Sequence, residues 1–130
     1  MIVVDASAMV EALVGRDAAA SLLDALDDAV CAPHLLDVEV LSVLRGLTLS
    51  GKLTTDMADQ ARGDFFTLAI ERYPTDALAD RIWGLRYHFT ACDAAYLALG
   101  EATGAPVITC DSKLAAPGHD AQVVVVPPSR

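Results

Sequence analysis

The segment Cys92-Asp93-Ala94-Ala95-Tyr96-Leu97-Ala98-Leu99-Gly100 consists of good helix formers, with Gly104 placed to stop the helix. Ala91, Ala94, Ala95 and Ala98 give it a face of small side chains, which lets a neighbouring backbone come close and predicts a central helix. Its first turn carries one carboxylate, Asp93. The ordinary use of such an acid is to cap the helix N-terminus, for about 1 kcal/mol. Three other stretches also deliver a lone acid from apolar surroundings: Asp5, Glu39 and Asp111. The expectation is that the four meet.

Around this helix the chain alternates short apolar runs with helical patterns. Just upstream, Asp76 to Tyr87 reads as a helix with Leu78 and Trp83 as core candidates. Downstream, Pro106-Val107-Ile108-Thr109 reads as a strand leading to Cys110-Asp111, and Val123-Val124-Val125-Val126 as the last strand, ended by Pro127-Pro128. At the start of the chain, Ile2-Val3-Val4 has the all-apolar character of a strand buried on both faces of a parallel sheet. Asp5 ends it, Ser7 is placed to cap a helix through about Val14, and Gly15 closes that helix. A second helix is expected from about Asp17 to Ala25, with Ala18, Leu22, Leu23 and Leu26 inward and Asp24, Asp27 and Asp28 solvated.

Val30-Cys31-Ala32 is a second strand, and Pro33 suits the start of a helix that runs from Leu35 to about Leu49 and stops at Gly51. That run is apolar on nearly all sides. Glu39 lies inside it, with Leu35, Leu36, Ser42 and Val43 as its three- and four-residue neighbours. Thr54 or Thr55 opens a more polar helix to about Ala69, and Ile70-Glu71-Arg72-Tyr73 is a third strand before Pro74. Such alternation predicts an α/β fold: one domain spanning residues 1–130, with a mainly parallel sheet of about five strands flanked by helices and right-handed crossovers. No repeat, linker or low-complexity segment interrupts it.

The bulk properties narrow the function. The 130 residues are 54% hydrophobic, which argues against disorder. No apolar run approaches a membrane span. Met1-Ile2-Val3-Val4-Asp5 lacks the basic region of a signal peptide, and three cysteines, an odd number, do not read as a secreted disulfide framework. A cytoplasmic location is expected. The net charge of −9 disfavours broad electrostatic binding to nucleic acid and suits cations or a basic protein partner. A nucleic-acid role therefore requires a local basic rim or metal ions.

In an open parallel sheet, sites form beyond the carboxyl ends of the strands, where the following helices begin. Asp5 and Asp111 lie just past strand ends, and Asp93 and Glu39 in the early turns of helices, so all four belong to one edge. Helix N-termini contribute about half a positive charge each, too little to hold four anions together. Close carboxylates share protons or bind a cation, and an all-oxygen set suits magnesium or manganese. Plainer roles exist for Asp5 as a strand-end cap and for Asp111 as a turn residue in Asp-Ser. Glu39 has the weakest such alternative, because burying an unpaired carboxylate costs several kcal/mol. Ser7 and Thr109 are candidates to orient the acids, with simple capping and strand packing as the alternatives.

The stretches Val4-Asp5-Ala6-Ser7-Ala8, Pro33-His34-Leu35-Leu36-Asp37-Val38-Glu39-Val40, Asp93-Ala94-Ala95-Tyr96-Leu97-Ala98-Leu99 and Thr109-Cys110-Asp111-Ser112-Lys113-Leu114 resemble, in order and spacing, the successive motifs of PIN-domain ribonucleases. Among these they are most similar to the VapC-type toxins of bacterial toxin–antitoxin pairs. The resemblance implies that Asp5, Glu39, Asp93 and Asp111 are metal-binding acids. It also implies magnesium- or manganese-dependent cleavage of RNA by in-line attack of an activated water, usually leaving a 5′-phosphate. A homodimer and a small antitoxin whose arm covers the acidic pocket are the implied partners. Cys92 stands where many relatives carry an aromatic residue, a departure that touches only local packing. For an RNA rim the basic candidates are Arg16, Arg45, Lys52, Arg86 and Lys113, with Lys113 first because it follows Asp111 so closely; a plain surface role competes for each.

Other chemistries fit less well. Cys31-x-x-His34 with Cys92 and Cys110 lacks the second paired spacing of a zinc site, and a Cys92–Cys110 disulfide has no supporting pattern. An aspartyl-phosphate enzyme would want an acid where Ser7 stands, a phospho-receiver would not use Glu39 inside a helix, and glycine-rich nucleotide loops are absent. The alternative from another class is a non-catalytic module that keeps an acidic pocket to dock a basic protein.

Overall fold

Strand β1 (Ile2–Val4) is buried along its whole length, and so are β2 (Val30–Pro33) and β4 (Val107–Thr109). Their near-continuous apolar character, broken only by Thr109, fits the covering of both faces. Part-exposed β3 (Ile70–Tyr73) and β5 (Val123–Val125) form the two edges. The computed structural model describes residues 1–129. In it the five strands form a sheet of order β3-β2-β1-β4-β5 in which every neighbouring pair is parallel.

Six α-helices accompany the sheet among the described residues: α1 (Ala6–Val14), α2 (Ala20–Ala25), α3 (Leu35–Leu49), α4 (Thr55–Thr67), α5 (Ala79–Gly84) and α6 (Ala91–Thr103). Short 3-10 turns at Thr75–Leu78 and Ser112–Ala115 complete the chain. Helices α1, α3 and α4 pack on one another, while α5 packs on α6 and α6 lies against β1, β2 and β4. None of the helices is long and apolar enough to cross a membrane.

Helix α6 occupies the central place that its small side chains predict. Residues Ala94 to Gly100 are all buried. A Cβ added to Gly100 would come within 2.6 Å of the Val107 side chain and 3.3 Å of the Ala105 carbonyl, so the helix rides directly on β4. It ends at Gly104, whose φ of 71° is the left-handed conformation that glycine adopts without strain.

Several local expectations are corrected. Trp83 is 68% exposed, not core, although Leu78 is buried as expected. The Asp76–Tyr87 segment breaks into a 3-10 turn and the six-residue α5, so one helical period does not run through it, and Leu85 and Phe89 turn inward instead. Helix α2 begins at Ala20, not near Asp17, because its N-terminus has no side-chain cap and the Asp17 N–H donates instead to Ser129 Oγ at 3.2 Å. So short a helix buries one narrow stripe: Leu22 is fully buried, whereas Leu23 is exposed. Finally, α1 is capped by Asp5, not Ser7, and α6 by Thr90, not Asp93.

The close seating of α6 sets a measurable constraint. Gly100→Ala forces a methyl group into Val107 and is expected to cost about 1–3 kcal/mol in urea unfolding. A Gly100→Ala protein as stable as wild type would show that α6 can lift from β4 freely.

Candidate active site

The chain winds from β1 through β2 to β3 on one side of the sheet, then crosses to β4 and β5 on the other. Direction therefore reverses between β1 and β4, and the crevice beyond such a junction is where open α/β sheets bind ligands. Asp5 immediately follows β1 and Asp111 lies two residues after β4. The strands meet in register, Val4 beside Ile108, and the Asp5 N–H donates to the Ile108 carbonyl at 3.2 Å.

Asp5 is 6% exposed and is held on every side. Its Oδ1 accepts from Ser7 Oγ at 2.7 Å and from the Ala8 N–H at 3.0 Å, the latter being the α1 cap. Its Oδ2 accepts from Thr109 Oγ1 at 2.5 Å. Ser7 Oγ in turn accepts from the Cys110 N–H at 2.9 Å, and Thr109 Oγ1 from the Asp111 N–H at 2.9 Å. The two hydroxyls lie 3.2 Å apart, but the single proton of each is already committed to Asp5. Ser7 and Thr109 thus lock the end of β1 to the end of β4. Burial first, and the charge of Asp111 second, push the Asp5 carboxyl above the usual aspartate range, against the pull of its three donors.

Glu39, half-buried on α3, accepts from the Tyr96 hydroxyl of α6 at 2.5 Å. Burial, that hydrogen bond, and the charges of Glu39 and Asp5 all push the Tyr96 phenol upward, so Tyr96 stands in the field of both acids and remains a donor. Asp93 precedes Tyr96 by three residues and shares its side of α6. Because Thr90 performs the cap, accepting from the Asp93 N–H at 3.2 Å, the half-buried Asp93 carboxylate is not used for capping. The Cys92 thiol is pushed up by burial and then by the charges of Glu39 and Asp93, which puts those two acids in one neighbourhood.

All four acids therefore face one edge, but they are not drawn tightly together: among the described residues no three His, Cys, Asp or Glu side chains converge enough to hold a metal ion. In kind, the set still fits a hard divalent cation. The donors are all oxygen, and no basic side chain among the described residues pairs with Asp5, Glu39 or Asp93.

Of the basic candidates, Lys113 is 79% exposed with its Nζ 3.9 Å from Asp111 Oδ2. Arg45 is not brought to this edge: it lines a small groove between α3 and α4 with Leu41 and Arg62, about 9 Å further along α3 than Glu39. Arg16 and Lys52 instead border a cleft of about 830 Å³ that reaches Ser7 and Cys110. Glu11, a buried acid of this cleft, was not singled out by sequence. Its Oε2 accepts from Ser129 Oγ at 2.5 Å and the Ser129 N–H at 3.1 Å, which ties the C-terminal segment to α1. Its position three residues before Val14 on an otherwise apolar helix was the available signal. All three cysteines are free thiols, and burial, then Glu11 and Asp5, push Cys110 to about 11.

Thr109→Val keeps the shape of the side chain but leaves Asp5 Oδ2 and the Asp111 N–H without partners. The expected loss is about 2–4 kcal/mol by urea denaturation, with Thr109→Ser retaining most of the stability. Equal losses from both variants would mean that the methyl group, not the hydroxyl, matters there.

The PIN domain family model matches residues 2–119. Ribonuclease VapC1 of Mycobacterium tuberculosis is 41% identical over 128 residues, covering 95% of this chain and 96% of that protein. Ribonuclease VapC9 of the same organism is 38% identical over 128 residues, covering 98% and 99%. Among solved structures, PAE2754 from Pyrobaculum aerophilum superposes with a TM-score of 0.65 at 20% identity, covering 87% of this chain and 76% of its own. VapC20 of M. tuberculosis, described as a sarcin-ricin loop cleaving toxin, does so with a TM-score of 0.64 at 18% identity, covering 98% and 100%. At that identity both speak for the fold. Taken with the matched motifs and the α/β sheet, these likenesses establish that the chain belongs to the PIN-domain family, among the VapC ribonucleases.

Proposed function

We propose that this protein is a magnesium- or manganese-dependent endoribonuclease that acts, as one domain over residues 1–130, as the toxin of a cytoplasmic toxin–antitoxin pair. The observation that supports the reading is the shared edge to which Asp5 and Asp111, just past β1 and β4, and Glu39 and Asp93, early in α3 and α6, all belong, three of them with no basic partner among the described residues. Asp5, Glu39, Asp93 and Asp111 would hold the cation. The chemistry that a bound divalent ion supplies is neutralisation of phosphodiester oxygens and acidification of a water.

The chain's own residues divide the remaining work. Ser7, Thr109 and the Ala8 N–H fix Asp5 and favour its ionised form against the effect of burial. Tyr96 orients Glu39, and the N-terminal turn of α6 favours the Asp93 carboxylate through the helix dipole. Lys113, beside Asp111, offers a cation to the RNA backbone. A protein partner is supported by the outer side of α3, where Val38 is 64% and Leu49 69% exposed. An antitoxin and a second copy of the chain are the partners proposed.

Purified protein with manganese and end-labelled RNA tests the activity. Asp5→Asn and Asp93→Asn are expected to lower cleavage at least about a hundredfold with circular dichroism unchanged. Tight antitoxin binding with no cutting of any RNA at high protein concentration would instead favour the non-catalytic acidic module. Expression of the wild type alone is expected to slow growth and Asp93→Asn to relieve this; equal toxicity would exclude catalysis as its cause. Metal binding has its own readout. In metal-free buffer Asp5→Asn is expected to melt no higher than wild type, because an amide nitrogen cannot accept from the Thr109 hydroxyl, although the remaining oxygen can still cap α1. Magnesium at a hundredfold excess over its Kd adds about 2.7 kcal/mol to wild type and little to the variant. Identical shifts in both proteins would remove Asp5 from the cation site.

A further inference from the structure

Outside the acids, the α5–α6 connection presents an unusual surface. Trp83, the chain's single tryptophan, is 68% exposed and Tyr87 is 78% exposed. Between them in sequence, the Arg86 guanidinium lies 4.7 Å from the Trp83 ring centroid and 4.4 Å from that of Tyr87. Its Nη1 donates to the Trp83 carbonyl at 2.9 Å and its Nη2 to the Tyr87 hydroxyl at 3.0 Å. Both rings are thereby tethered to one cation. A guanidinium has five N–H donors, so three remain, and among the described residues no carboxylate pairs with Arg86. In a chain of net charge −9 this is a conspicuous unneutralised cation.

Its place in the fold matters as much as its chemistry. The connection ends at Thr90, the cap of α6, and Asp93 sits in the turn that follows. Helix N-termini and strand carboxyl ends share one edge of a parallel α/β sheet, so the aromatic pair leads into the edge that holds the acids. Exposed rings already ordered, joined to a cation with spare donors, are the parts that bind single-stranded nucleic acid: bases stack on rings and phosphates meet the guanidinium.

We propose that Trp83, Arg86 and Tyr87 form a stacking platform for single-stranded RNA beside the acidic edge, with a base against an aromatic face and its phosphate on Arg86. This rests on the ribonuclease reading and adds where the strand flanking the cut is held. It also reconciles RNA binding with an acidic chain, since stacking needs no broad positive field.

Because Trp83 is the only tryptophan, its emission reports on the platform directly. Wild-type protein in EDTA is titrated with a mixed-sequence single-stranded 12-nucleotide RNA and with an abasic 12-mer carrying the same phosphates. Binding of the 5′-labelled strands is followed by anisotropy. The intact RNA is expected to quench Trp83 saturably, and the abasic strand to bind more weakly without quenching. Tyr87→Ala and Arg86→Ala, both at exposed sites, are expected to weaken RNA binding about tenfold each. RNA binding by anisotropy with unchanged Trp83 emission would overturn the platform and leave the ribonuclease reading standing. Emission that varies with protein concentration in the absence of RNA, alongside a dimer in sedimentation, would overturn it in favour of a second copy covering the rings. Absence of both binding and manganese-dependent cutting would remove the platform together with the reading beneath it.

Discussion

Thr109 and Asp5 meet across the junction of β1 and β4, and the rest of the acidic edge is arranged around that contact. Asp5 is a buried anion with no cation beside it among the described residues, a condition that costs several kcal/mol unless its oxygens are well bonded. Three donors meet that need, and each also performs a second task. The Ala8 N–H makes the acid the cap of α1. Ser7 and Thr109 pass the connection on to the backbone of Cys110 and Asp111. The position of the second acid is therefore set by the hydrogen bonds that make the first tolerable.

The other two acids depend on α6. Its small residues let it sit against β4, and that seating brings Tyr96 within reach of Glu39 on α3. A bulkier helix would stand off the sheet and leave Glu39 without its donor. The capping of α6 by Thr90 has the complementary effect of leaving the Asp93 side chain free of the backbone. What results is an edge of acids that are individually fixed yet not closed on one another, with burial first and the charge of Asp111 second raising the carboxyl of Asp5.

The surface around this edge is divided by chemistry. Arg16 and Lys52 border the cleft beside Ser7, Lys113 flanks Asp111, and Arg86 lies with its two rings before α6. The apolar outer side of α3 is a separate surface. For a strongly acidic protein, any contact with a polyanion has to rest on local features of this kind and not on a broad positive field.

Much of the fold was legible in the sequence. The all-apolar run at Ile2-Val3-Val4 marked a doubly covered parallel strand, Pro106-Val107-Ile108-Thr109 marked a further strand, and the Ala-rich face with Gly104 marked α6 as central and bounded. Lone acids placed near strand ends and helix starts indicated that they share one edge, because those ends coincide there. Local pattern could not decide the rest. Trp83 looked like core because a helical period was extended through a segment that breaks into a 3-10 turn and a short helix. Glu11 was passed over because its partner, Ser129, lies 118 residues away. The bonds from Thr109 and Tyr96 likewise join elements remote in sequence. Sequence by itself determined periodicity, element type and the edge on which the acids lie, since these follow from neighbours along the chain. Only the tertiary structure decided which hydroxyl serves which carboxylate and which rings stay in water, because those outcomes depend on strand order and on how closely α6 approaches the sheet.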